Sequence, residues 1–181
     1  VAKEYIMNYH NVERKENDEK SIETAKKIIS LNPDTIRIYP TVVFKNTHLD
    51  KLRESGEYIP QTVENAVKLG AKLIPLFEKN GIKVIRFGLH TADEIEITGG
   101  AWHPALAQLV KSQIFKTNIE NKLTKLPIGN YIISCNSKNV SDIIGQKRTN
   151  VEYFSKLGYN CVVKPKTEIK ENDFLITDRK N

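Results

Sequence analysis

Cysteine is nearly absent from this chain. Its 181 residues contain two, Cys135 and Cys161, 26 positions apart, and neither stands at a metal-ligand spacing from the other or from a histidine. That spacing excludes a disulfide framework and a cluster held on grouped thiolates, and leaves two ordinary buried thiols as the expectation. The four histidines, His10, His48, His90 and His103, form no H-x-x-x-H or H-E-x-x-H group, so no metal site is expected. There is no G-x-G-x-x-G and no P-loop, and no histidine stands out as the base of a hydrolase. No window approaches the ~20 apolar residues of a membrane span. The start, Val1-Ala2-Lys3-Glu4-Tyr5, has no charged-then-apolar signal pattern, so the chain reads as cytoplasmic, with no membrane partner.

What is present is ordinary in amount and uneven in placement. Hydrophobic residues make up 39% and charged residues 28% of a chain long enough for one or two domains. Residues 1 to 110 hold 15 Lys/Arg against 15 Asp/Glu, whereas residues 111 to 181 hold 13 against 7, so the whole net charge of +6 lies in the last part. A basic tail on a neutral body points toward a polyanion, though solvated lysines alone give the same count.

The apolar spacing places a helix over 18–31, with Ile22, Ala25, Ile28 and Ile29 on one side and Asn32-Pro33 as its stop. Residues 35–44 are rich in β-branched side chains and predict one strand, with Ile36 and Ile38 on one face and Arg37 and Tyr39 on the other. Residues 46–60 read mostly as an excursion. A second helix starts at Thr62 and ends at Asn80-Gly81, with Pro75 expected to kink it. The strand 82–89 is expected to set Ile85, Phe87 and Leu89 against Val84, Arg86 and Gly88. Gly99-Gly100 reads as a break and 104–115 as a short helix. This rhythm is that of a parallel α/β layer. Beyond it follow a strand at 130–135, helices at 140–144 and 150–157, and strands at 160–163 and 173–177, a small α+β domain. The boundary is placed near Thr117, giving domains 1–116 and 117–181.

Three stretches carry a resemblance: Arg37-Ile38-Tyr39-Pro40 with Lys45-Asn46-Thr47, then Gly81 to Leu89, then His103-Pro104-Ala105 before Leu109-Val110. Together they resemble the late part of a radical S-adenosylmethionine (SAM) protein of the Elongator-catalytic-subunit and oxygen-independent coproporphyrinogen oxidase type. The resemblance implies the last βα units of a partial (β/α) barrel, in which alternate strand residues face the lumen where SAM and substrate meet. Arg37, Tyr39 and Arg86 are then the lumen candidates, against a salt-bridging or snorkelling role for the arginines and edge packing for the tyrosine. Family members hold a [4Fe-4S] cluster on a C-x-x-x-C-x-x-C run that this chain lacks. SAM and the cluster are thus cofactors of the parent family, with none expected in this chain and no catalytic residue assigned. Where family members have a G-L-P-G-like turn, this chain has Met7 to Arg14. The chain reads as a carboxyl-terminal portion, whether an excised fragment, a truncated frame or a degenerate paralogue.

Val140 to Phe154 resembles the helix, G-x-x-G loop, helix element of a KH domain, which clamps the backbone of single-stranded nucleic acid. The loop here is Gly145-Gln146-Lys147-Arg148, with arginine at the second glycine. The resemblance implies an RNA contact at these four residues and, through the Elongator-like branch, tRNA as partner; a basic turn between packed helices is the plainer alternative. A dimerisation module, pairing with a second copy through an open sheet edge, is the rival reading for the whole chain.

Overall fold

This computed structural model describes residues 4–9, 14–90 and 96–179. They fall into two compact units, Val1–Val110 and Lys111–Asn181. His10 and the rest of 10–13, the middle of the stretch Met7 to Arg14, lie outside the described residues. Among those described, no helix is long and apolar enough to cross a membrane.

The first unit runs β1 (Glu4–Tyr9), α1 (Arg14–Ser30), β2 (Thr35–Pro40), β3 (Val42–Phe44), α2 (His48–Glu54), α3 (Val63–Glu78), β4 (Lys83–Phe87), β5 (Ile97–Gly100) and the start of α4 (Leu106–Leu123). Strands β1, β2 and β4 lie side by side in that order, all parallel. Chain order equals spatial order, the succession of a barrel wall rather than the reversal of a doubly wound sheet. The fold is α/β, and the three strands do not close a barrel.

Helices α1 and α3 form where the apolar spacing places a helix. In α1, Ser21, Ala25 and Ile28 are buried at i, i+4 and i+7. In α3, Ala66, Leu69, Gly70, Leu73 and Phe77 make the buried stripe. The Thr62 hydroxyl accepts the Asn65 N–H at 3.3 Å as its cap, and Gly81, at φ +75°, ends the run. Pro75 does not interrupt α3, which continues to Glu78. Gly70 brings α3 against the sheet: a Cβ there would lie 2.6 Å from the Phe87 ring.

Four expectations are corrected. The strand foreseen over 35–44 is two strands in two sheets. Pro40 lacks the N–H that would extend the parallel ladder, and after Thr41 the chain leaves to pair β3 antiparallel with β5. The break at Gly99-Gly100 is part of that β5. Gly100 sits at φ +96° with its would-be Cβ 2.5 Å from the Thr41 carbonyl oxygen, so glycine marks a close backbone approach rather than an interruption. The excursion 46–60 contains α2, whose start is marked by Thr47-x-x-Asp50, a capping pattern in which the Thr47 hydroxyl accepts the Asp50 N–H. In β4, a bulge opposite Ile36/Arg37 makes Val84 pair with Ile36, Arg86 with Arg37 and Phe87 with Ile38. Val84 therefore shares its face with Phe87, and Ile85 is the extra residue, 42% exposed.

Asp50 fastens this region. Buried on α2, it accepts from the Thr98 hydroxyl at 2.6 Å, from Arg53 Nη2 at 2.9 Å and Nε at 3.0 Å, and from the Asn46 N–H at 3.0 Å. One carboxylate thus ties the Lys45-Asn46-Thr47 turn, α2 and β5 together. The Thr98 hydrogen bond foremost, working against desolvation and helped by Arg53 and the Asn46 N–H, holds this carboxyl below its usual value.

In the second unit the remainder of α4 is followed by β6 (Gly129–Cys135), a 3-10 turn, α5 (Val140–Ile144), α6 (Thr149–Lys156), β7 (Tyr159–Pro165) and β8 (Phe174–Asp178). Here the strands and short helices fall where the sequence placed them, within one or two residues. Helix α4 is longer than foreseen and runs through Thr117. The sheet order is β7-β6-β8, with β6 parallel to β7 and antiparallel to β8. Its core packs Phe115, Ile119 and Leu123 of α4 with Tyr131, Ile133, Ile143, Phe154 and Phe174. The β6–α5 turn is fixed by Asn139, fully buried, whose Oδ1 accepts the Asn172 N–H at 2.9 Å.

A depressed folded-state pKa makes Asp50 stabilising at every pH above its unfolded value of ~3.9, and that contribution is lost as pH falls through the folded value. Asp50→Asn is therefore expected to lower the urea midpoint of the first unit at pH 7, with the gap from the parent chain narrowing below about pH 4. A gap that stays constant from pH 7 to pH 3 would exclude the charge as the cause.

Candidate nucleic-acid interface and ligand face

Between α5 and α6 the backbone makes a tight and strained turn. Gly145 ends α5 at φ +79°, and Lys147 and Arg148 follow at φ +51° and +65°. Two consecutive non-glycine residues in the left-handed region cost of order 1 kcal/mol or more each, and such strain gathers at functional sites. Arg148 holds a left-handed backbone shape that glycine takes freely and arginine adopts only at that expense.

Gly145 is itself buried. A Cβ on it would lie 2.7 Å from Thr149 Oγ1 and 2.9 Å from Asn150 Cγ, so the room it gives is taken by the first turn of α6. The exposed part of the loop is Gln146, Lys147, Arg148 and Thr149. What holds it is Asn150, a residue that sequence reasoning missed. Buried at the start of α6, its Nδ2 donates to Ser112 Oγ at 2.9 Å and faces the Ile143, Asp142 and Ser112 carbonyls at 3.2 to 3.3 Å. It satisfies the last carbonyls of α5 and ties both helices to α4. Asp142, also buried, lies 3.4 Å from Lys111 Nζ.

A groove runs from this loop between α6 and the outer edge of β7, bordered by Arg148, Glu152, Ser155, Asn160, Cys161 and Arg179. Among the described residues β7 pairs with β6 alone. Burial pushes the Cys161 thiol up to about 11, so it is uncharged at neutral pH. Arg148 and Arg179 put two cations against one acid on the groove's rim.

In the first unit, Ile36, Ile38 and Phe87 face the helices and are buried. Arg37 and Tyr39, half-buried, occupy the opposite face of β2, and the exposed Arg86 is Arg37's register partner on β4. All-parallel sheets usually have both faces covered, so a parallel sheet with a half-open face carrying two arginines and a tyrosine suits the inside of a barrel wall. His103 is a turn residue, its Nδ1 accepting the Ala105 N–H at 3.0 Å.

Residues 33–116 match the family model described as the Radical_SAM C-terminal domain. This segment is similar to the C-terminal domain of radical SAM proteins. No curated protein matches the chain. The match covers Arg37, Tyr39 and Arg86 together with the Asp50 fastening. Radical SAM proteins use SAM and a [4Fe-4S] cluster, and the residues present here do not fit the cluster. Cys135 is buried in the core of the second unit and Cys161 is half-buried beside it. On the paired strands Tyr131, not Cys135, lies opposite Cys161, which sets the two cysteines four residues, roughly 13 Å, apart along the sheet. Among the described residues no three His, Cys, Asp or Glu side chains group as metal ligands.

Asn150→Ala is expected to destabilise the second unit by about 2 kcal/mol, because it leaves buried carbonyls and Ser112 without their donor. It should also speed amide hydrogen exchange across Gly145–Thr149. Unchanged exchange there would mean that the loop is held by other means.

Proposed function

We propose that this chain is the substrate-side carboxyl-terminal part of a cytoplasmic radical SAM protein of the Elongator-like type, directed at RNA and in particular tRNA. In this reading Arg37, Tyr39 and Arg86 line the ligand side of the barrel wall, and the second unit holds single-stranded RNA. The chain is not catalytic alone, since it has no grouped thiolates to carry the cluster that makes the radical. The observation that carries the RNA assignment is the exposed, left-handed Lys147-Arg148 pair at the tip of a βααβ unit that holds the entire excess of positive charge. A KH-like clamp has this build: two short helices meeting at a tight loop, with cations and the first amides of the second helix offered to phosphate. Gly145 lets α6 start close enough to fix the loop, Gln146 adds an exposed amide, and Lys147 and Arg148 supply the charge.

The open outer edge of β7 favours a second reading, a module that pairs with another copy of the chain through a sheet edge. It differs in predicting a dimer whose formation is insensitive to RNA.

The full chain is expected to bind single-stranded RNA weakly and with strong salt dependence. Lys147→Glu with Arg148→Glu should abolish binding with unchanged circular dichroism. Two lost phosphate contacts correspond to about 1.4 in the slope of log K against log salt. Equal binding by the charge-reversed chain, or a salt-independent dimer with no RNA affinity, would favour the plain basic turn or the dimerisation module.

A further inference from the structure

The groove beside β7 is bordered by three successive residues of that strand, Asn160, Cys161 and Val162. Side chains alternate across a strand, so a cavity lying on one face of the sheet would meet every second residue. A cavity that meets all three runs along the strand's edge, where the main chain itself is within reach. The direction of that main chain follows from its last rung. The Lys166 N–H donates to the Cys135 carbonyl on β6 at 2.7 Å, and the direction of the amides alternates along a strand, so those of Lys164, Val162 and Asn160 also turn to β6. Those of Cys161 and Val163 turn outward, each with a donor and an acceptor, and among the described residues β7 pairs with β6 alone. An unpaired edge of this kind is a template for another strand. Pro165 closes the template at its far end, having no N–H to give, so the open stretch is Tyr159 to Val163.

The charges around this edge decide which strand fits it. Arg148 borders the groove from the start of α6, and Arg179, whose N–H donates to the Asn130 carbonyl at 3.0 Å, from the far side of β6. Among the described residues no ion pair or hydrogen bond engages either guanidinium. The exposed Lys164 stands just past the open stretch, and Glu152 is the one acid on the groove's border. A second copy added edge to edge would set these cations against their own equivalents, and like charges repel. A phosphodiester strand would meet the cations, but its phosphates only accept, and the outward carbonyls of Cys161 and Val163 would go without a donor. An extended acidic peptide answers both: its main chain supplies donors and acceptors in alternation, and its carboxylates meet Arg148, Lys164 and Arg179. We propose that the outer edge of β7 takes an extended acidic peptide as an added strand, in the groove that α6 and Arg179 border. The proposal goes beyond the RNA reading and does not rest on it.

The test uses the full chain and fluorescence anisotropy of a labelled, capped peptide that alternates glutamate and valine, with a lysine and valine counterpart as control. The glutamate peptide is expected to bind and the lysine peptide to stay free. Two further versions of the glutamate peptide carry N-methyl groups, one on its glutamate amides and the other on its valine amides. In an added strand only one of these sets faces β7, so one version should lose affinity by about tenfold or more and the other keep it. Arg179→Glu, at an exposed position, should weaken the unmethylated peptide about tenfold with unchanged circular dichroism. Equal binding of both methylated versions and the parent peptide would mean attraction by charge alone and would overturn the proposal, as would no binding of the glutamate peptide. Two other results overturn it by giving the edge to a different occupant. One is a dimer in light scattering that the peptide does not dissociate; the other is binding of a uridine oligonucleotide that Arg179→Glu abolishes, in a chain with no peptide affinity.

Discussion

The first unit is organised around the contact of a glycine with an aromatic ring. Because Gly70 has no side chain, α3 settles against Phe87 at a distance that any Cβ would forbid. Phe87 must then face the helices, as Val84 already does, and two residues facing one way with two between them cannot belong to a regular pleat. The strand absorbs the mismatch by looping out Ile85. A packing requirement on one side of the sheet thereby fixes which side chains appear on the other. The core and the opposite, half-open face are not separable choices here, and a larger residue at 70 would disturb both.

The second unit solves a different problem, holding a sharp turn between two helices of five and eight residues. Helices so short have little stability of their own. One carboxamide, on Asn150, joins the end of one helix to the start of the other, and Gly145 gives it room. Apolar packing beneath this polar joint supplies the bulk of the stability, while the joint sets where the chain may bend.

Much of this was legible in the sequence, and the exceptions share a cause. Helix α3 was plain because its apolar period, its threonine cap and its terminal glycine all agree. The β6 to β8 region was readable because its strands are short and well separated. The pleat of β4 was not, because alternation is a local rule and the bulge answers a contact with Gly70, far away in the chain. Gly99-Gly100 misled for the same reason: a glycine that ends a strand and a glycine that lets two backbones touch look alike until the partner, Thr41, is known. The buried and half-open faces of β2 followed from simple alternation, and the exposed loop at 146–148 from its flanking helices. Asn150 gave no warning, since an asparagine after a threonine at a helix start reads as an ordinary surface residue.

Cys161 borders the groove at β7 and yet is chemically quiet. With the thiol pushed up to about 11, its thiolate fraction at pH 7 is on the order of 10⁻⁴, and the thiolate is the form that attacks peroxides and electrophiles. A sulfur at the edge of a basic groove would ordinarily be drawn toward ionisation by the arginines, and here desolvation prevails. The groove can therefore keep an apolar, polarisable surface beside its cations without becoming an oxidation-prone position.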